Sequence, residues 1–294
     1  MRWIGGTACL LLAALVLGGC ALVRPFAGGV RLQEVGRRAG FRVPECVLVD
    51  PATGTYYVSN VDSDAGLFWA DDGAARITRV QADGPRLDRW RDSTPAAPLN
   101  SPKGMCLLGE RLYIADNARL LSCLAAGGGD LTVVTAGFVN ANDLATDGTS
   151  IWLSDSAEGV GQVWCIAPDG SSKRQVPAPS RVNGLTFHQG RLYAVSWDAH
   201  DVYELDPDGH LPPRPFGQAH HFTNLDGIEV LDDGTFIVSD FVGNQICAIS
   251  PDRLEVTVLA RVTAPADLGV DRRRGLLYAP LFTQNEVVVF SIVR

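Results

Sequence analysis

One pattern returns six times along the chain. Apolar runs ending in small and polar residues read "TYYVSN" (55–60), "LYIADN" (112–117), "IWLSDS" (151–156), "LYAVSW" (192–197), "FIVSDF" (236–241) and "LYAPLF" (277–282). Each follows a shorter apolar run, and the turns between them, such as "DPATG", "TDGTS" and "LDDGT", carry the Gly and Asp of hairpin chemistry. Third runs ("QVWCIAPDG", "DVYELDPDG", "NQICAISPD", "NEVVVFSIV") and a more variable fourth complete each unit. Four short strands recurring about every 40 residues is the spacing of a β-propeller.

The expected fold is therefore all-β: a six-bladed β-propeller of four-stranded antiparallel blades, in one domain over residues 30–294. The last unit stops after its third strand, and "VRLQEVGR" (30–37) has no other partner. That N-terminal strand is expected to close the last blade and hide both sheet edges. The first unit is longer by an insertion, "VDSDAGLFWADDGAAR" (61–76), between its second and third strands. It would overhang the face where the inner strands begin. Phe68 and Trp69 there suit a lid or pocket wall, or packing onto a neighbouring blade.

At the start of each first strand stands a residue that strands do not favour: Glu45, Lys103, Asn142, Asn183, Asp226 and, in the sixth unit, Ala266. In a propeller the innermost strands line the axis, so these slot positions form a ring at the channel mouth. Two carboxylates and two amide oxygens suit a hard divalent cation. Without one, Glu45 and Asp226 repel each other and one is driven to protonate. Gly104, Gly184 and Gly227 follow the slot where strands crowd the axis. Asp143 and Asp267 fill that second position in the third and sixth units, as partners of the site, a general base, or turn caps. Asp116, Asp155 and Asp240, closing second strands, read as residues that secure the following turn.

"PECVLVD", "ANDL", "VNGL" and "LDGI", in that order, resemble the gluconolactonase/regucalcin/luciferin-regenerating-enzyme family of six-bladed propellers. The resemblance covers roughly residues 30–294. It implies one divalent metal, calcium first, with zinc, magnesium or manganese as alternatives, held by Glu45, Asn183 and Asp226. Asn142 then sits beside the metal or contacts substrate. Two departures stand out: Asn140 occupies the position of the family's sugar-binding Arg, and Glu45-Cys46-Val47 replaces Glu-Gly-Pro. Lys103 could supply the missing cation, and a solvated surface lysine is the alternative. His220 and His221, shortly before Asp226, are the only histidines placed to reach the pocket.

The N-terminus is a separate matter. Arg2 precedes an uncharged run from Trp3 to Val23 that ends "LGGC" (17–20) before Ala21. A charged start, apolar centre and small residues fit a secretory signal over residues 1–19, and its "LGGC" ending resembles a bacterial lipobox. Cys20 would carry the lipid and residues 20–29 would be a short tether. An uncleaved anchor is the alternative. By analogy with Gram-negative lipoprotein sorting, Ala21 rather than Asp after the cysteine mildly favours the outer membrane, facing the periplasm. A net charge of −8 excludes the basic footprint of a nucleic-acid binder. Beyond Cys9 and Cys20, five cysteines lie in apolar runs and read as small buried hydrophobes.

The function these features suggest is metal-dependent hydrolysis of a small-molecule lactone or related ester. Asp226 or Asp143 would take the proton, Asn142 would orient the substrate, and Lys103 and Trp69 would contact it. The alternative is a non-enzymatic propeller lipoprotein that binds a ligand or partner protein, with the metal site a structural pin or vestigial.

Overall fold

The computed structural model describes residues 29–63, 67–82, 84–159 and 161–294. The signal segment, Cys20 and nearly all of the 20–29 tether lie outside these residues. Among the described residues, no helix is long and apolar enough to cross a membrane.

Aromatic and β-branched runs form strands because each is bounded by a turn that can reverse the chain. In "LDDGT", Leu231 N–H donates to Thr235 O at 2.8 Å and Gly234 N–H to Leu231 O at 2.9 Å. Gly234 takes φ 85°, which a side chain would resist. The strands assemble into an all-β propeller with four-stranded antiparallel blades. The first sheet holds Pro44–Val49, Tyr56–Asn60, Arg76–Val80 and Arg86–Asp92. Two further sheets begin at Val182–His188 and Leu225–Val230, and the last at Gly269–Asp271. Arg31–Ala39 pairs antiparallel with Glu286–Val293 at the edge of that last sheet, from Arg31 opposite Val293 to Ala39 opposite Glu286.

The repeat spacing predicts six separate sheets, whereas five form, one of them six-stranded. The cause lies in two long strands, Arg111–Leu124 and Thr132–Thr146. Where the other units break for a loop between second and third strands, this chain bends through Asn117 at φ 52° and stays in one strand, its register with Thr132–Thr146 shifting between Asn117 and Arg119 and again between Leu120 and Leu121. Thr132–Thr146 likewise runs on from the edge of the second unit into the inner strand of the third. The strands from Pro102–Leu108 to Lys173–Pro177 thus share one sheet.

The apolar core lies between successive units rather than in one central mass. Tyr57 and Ile77 pack against Leu99, Met105 and Ile114. Trp152 and Val163 pack against Val182 and Leu185, and Ile237 and Ile246 against Leu268 and Leu277. The last unit meets the first through Tyr278, Val287 and Val289 on Val47, Tyr56 and Val58. Each such buried side chain contributes about 1.5–3 kcal/mol. Cys46, Cys106, Cys123 and Cys247 are buried, Cys165 is half-buried, and all five are free thiols.

Candidate functional site

The slot residues sit where they do because five inner strands carry the same irregularity. Pro44 faces Asn60, but the next pair is Val47 with Val58. Pro102–Asp116 is followed by Met105–Ile114, and Ala141–Asp155 by Leu144–Leu153. Val182–Ser196 is followed by Leu185–Ala194, and Leu225–Asp240 by Ile228–Val238. In every case two residues oppose one, which is a β-bulge. The bulged pairs are Glu45-Cys46, Lys103-Gly104, Asn142-Asp143, Asn183-Gly184 and Asp226-Gly227. A bulge re-aims side chains and frees an N–H from the ladder, and the strand beside it supplies the missing acceptor. Cys46, Asp143 and Gly227 donate to the hydroxyls of Ser59, Ser154 and Ser239 at 2.9, 2.8 and 2.7 Å.

The aspartates closing the second strands hold the approach to the slot. Asp116 accepts the N–H groups of Asn100 and Ser101, and Asp155 those of Val139 and Asn140. Asp240 accepts those of Thr223 and Asn224. They secure the segment leading into the inner strand, as well as, in Asp240, the turn that follows through Gly243. The glycines are explained by approach. A Cβ on Gly184 would fall 2.5 Å from the Asp226 carbonyl oxygen, and one on Gly104 would fall 2.1 Å from Asp143 Oδ1.

All five bulged slot side chains are buried, Lys103 included at 4% exposure, so it is not a solvated surface lysine. Two oxygens among them, Glu45 Oε2 and Asn183 Oδ1, have no hydrogen-bond partner among the described residues. Burial drives the Glu45 carboxyl well above its ordinary range; Lys103 opposes the rise and Asp226 adds to it. Asp226 is raised to about 7 by burial, against the pull of Lys103 and a side-chain hydrogen bond from Asn183. Burial lowers the Lys103 ammonium, while Glu45, Asp226 and Asp116 hold it up.

Asp143 and Asp267 lie one step further along the axis. With Cys46, Cys106 and Glu229 they line a cavity of about 260 Å³ bounded by all six inner strands. Asp143 is raised to about 7 by burial although it accepts N–H groups from Leu185 and Leu144. Asp267 is driven well above its range by burial and by Asp143. His220 and His221 form a short 3₁₀ turn, exposed, with rings 4.0 Å apart.

The insertion of the first unit forms a wall over the mouth. Ser101 Oγ donates to Phe68 O, Asn100 Nδ2 to Asp71 Oδ1 at 2.7 Å, and Asn117 Nδ2 to Trp69 O at 3.2 Å. Phe68 meets Phe282 edge-on at 4.8 Å. The Lys103 ammonium lies 4.6 Å from the centre of the Trp69 ring and 5.7 Å from that of Phe282. Glu45, Asn183 and Asp226 thus come together with Lys103 beneath Trp69. The supporting roles of Ser59, Ser154, Ser239, Asn100 and Asn117 are not assigned by sequence reasoning, although the serines stand in plain view in three second-strand motifs. Among the described residues no three His, Cys, Asp or Glu side chains form a metal-holding cluster.

The fold and these inner-strand features define a β-propeller. No family model matches the chain, and no curated protein does. Solved structures share the fold. A Bacteroides thetaiotaomicron protein of unknown function aligns with TM-score 0.67 at 14% identity, over 90% of this chain and 76% of its own. A provisionally assigned gluconolactonase aligns with TM-score 0.64 at 20% identity, over 91% and 93%. Streptogramin B lyase aligns with TM-score 0.61 at 11% identity, over 90% and 98%.

Proposed function

We propose that this protein is a divalent-metal-dependent hydrolase of a lactone or related ester, held at a bacterial membrane by a lipid on Cys20. The observation that carries the reading is the pair of buried oxygens without partners, Glu45 Oε2 and Asn183 Oδ1, beside Asp226. Buried polar atoms are almost always satisfied, and two unpartnered oxygens beside a carboxylate fit a cation. Six blades are part of this proposal, with the six-stranded sheet taken as two units in tandem and Arg31–Ala39 as the strand that closes the last.

Glu45, Asn183 and Asp226 would hold the metal, calcium first, with zinc, magnesium or manganese as alternatives. When bound, it supplies Lewis acidity toward the ester carbonyl and the attacking water. Asn142 orients the substrate and Lys103 faces the oxygen on which negative charge develops. Asp226 or Asp143 takes the water proton at a carboxylate oxygen as the new C–O bond forms. The acyl–oxygen bond then breaks, and the proton passes to the leaving alkoxide. Trp69 walls the pocket against bulk water.

The test is hydrolysis of a lactone panel by the full-length protein in detergent, with calcium, zinc or EDTA. Activity should vanish with EDTA and in Asp226→Ala. Activity that survives both would overturn the mechanism. One observation favours a second reading, a binding propeller without chemistry: Lys103 already places a positive charge beside Glu45 and Asp226. Under that reading the protein is inactive on every ester, and its fold is unchanged by EDTA.

A further inference from the structure

Around the mouth, a backbone tie recurs. In five of the units the residue after the second strand donates its N–H to the carbonyl two positions before the slot: Val61 to Val43, Ser156 to Asn140, Trp197 to Arg181, Phe282 to Ala264. The same position in the fifth unit is Phe241, bonded to Asn224 O at 2.9 Å. These side chains therefore form a collar directly over the slot ring. On one side it is aromatic without a break. Trp197 lies 5.5 Å from Phe241, Phe241 5.5 Å from Phe282, and Phe282 4.8 Å from Phe68. Trp69 continues the arc over Lys103, and Arg181, paired with Asp198, ends it over Trp197 at 5.6 Å.

The polar side of the collar is short of donors for a polyol. Its two polar members are Asn117 and Ser156, and the Asn117 Nδ2 is spent on Trp69 O, Ala70 O and Asp71 Oδ1, which leaves only its Oδ1, an acceptor, without a partner among the described residues. Asn140, below Ser156, carries no cationic group. Phe68, Trp197 and Phe241 are half-buried and Trp69 is 38% exposed, so the arc keeps apolar surface open at the mouth. From this we infer that the substrate is an ester or lactone bearing an aryl group or an alkyl chain of several carbons, seated on the aromatic arc with its carbonyl toward the slot. This rests on the hydrolase reading for the reaction, but the apolar preference of the collar stands on its own geometry.

The test uses full-length protein with γ-butyrolactone, γ-hexalactone, γ-decalactone and D-glucono-δ-lactone. Each methylene that reaches the arc should raise kcat/KM by roughly fourfold. Phe241→Ala should flatten this dependence and Phe241→Leu should keep it. Equal rates along the series, or faster turnover of the gluconolactone, would overturn the assignment and leave the hydrolase reading intact. If no lactone is hydrolysed, quenching of tryptophan emission decides separately. Saturable binding of γ-decalactone over D-glucono-δ-lactone sustains the apolar site while the hydrolase reading falls. No preference overturns the inference as well.

Discussion

The Asp143 carboxylate accepts the main-chain N–H of Leu185 at 2.6 Å, joining the third inner strand to the fourth just past Asn142 and Asn183. Its other oxygen takes the N–H of Leu144 at 2.7 Å. The same group that lines the axial cavity is therefore a tie between neighbouring slots. Asp143→Ala leaves two buried amides bare, at a cost of about 1–3 kcal/mol each. The urea midpoint should fall accordingly, followed by near-ultraviolet circular dichroism, and an unchanged midpoint would refute the tie.

Ser239 supports the bulge from the strand beside it. Removing its hydroxyl strands the Gly227 N–H, buried next to Asp226. Ser239→Ala should lose about 1–3 kcal/mol of stability and also weaken binding of divalent metal. Calorimetric titration with Mn²⁺ measures the second effect. A loss of stability with unaltered metal affinity would show that the bulge does not set the position of Asp226.

Lys103 opposes any cation that approaches Glu45 and Asp226. Lys103→Met keeps the chain length beneath Trp69 and removes the charge. Metal affinity should rise by roughly tenfold, the order expected for one like charge in a partly wet site. Titration of wild type and variant with Mn²⁺ reads this directly. Equal affinities would mean that the ammonium is not felt at the seat.

The acid groups of the axis give the metal-free protein a definite pH dependence. Burial raises Glu229 from its ordinary 4.5 to about 7, against Arg272. A carboxyl whose folded value lies above its unfolded value prefers the protonated folded state. Its contribution is complete below about 4.5 and is lost as pH rises through about 7. Asp143, also at about 7, has the same sign. In EDTA, Tm should drop between pH 4.5 and 8, and Glu229→Gln should drop less. A Tm that climbs over this range would contradict the assignment.

The period and slot column were legible because hairpin turns and strand patterns repeat locally. Asn183 and Gly184 stand out in sequence as a poor way to begin a strand, and the register with Ser196 and Ala194 shows why: the pair is a bulge. Sequence cannot show that Asn117 bends the chain without ending the strand, since the left-handed corner is compatible with a loop as well. That ambiguity, together with the run of Thr132–Thr146 from one unit into the next, separates six expected sheets from five observed. Lys103 illustrates a different limit. Its burial depends on Trp69, from an insertion whose path over the mouth is fixed by Asn100, Ser101 and Asn117 on another unit. No local pattern reports a contact of that kind.

The bulges make the slot a socket whose shape does not depend on what fills it. Pro44, Pro102, Ala141, Val182 and Leu225 set the pairing before each socket, and the adjoining strand sets the pairing after it. Glutamate, lysine, asparagine and aspartate all occupy the same backbone form. A propeller built in this way can exchange its reactive groups one blade at a time while the scaffold folds unchanged. Its chemistry is carried as a short word of interchangeable letters, written around the axis and independent of the frame that displays it.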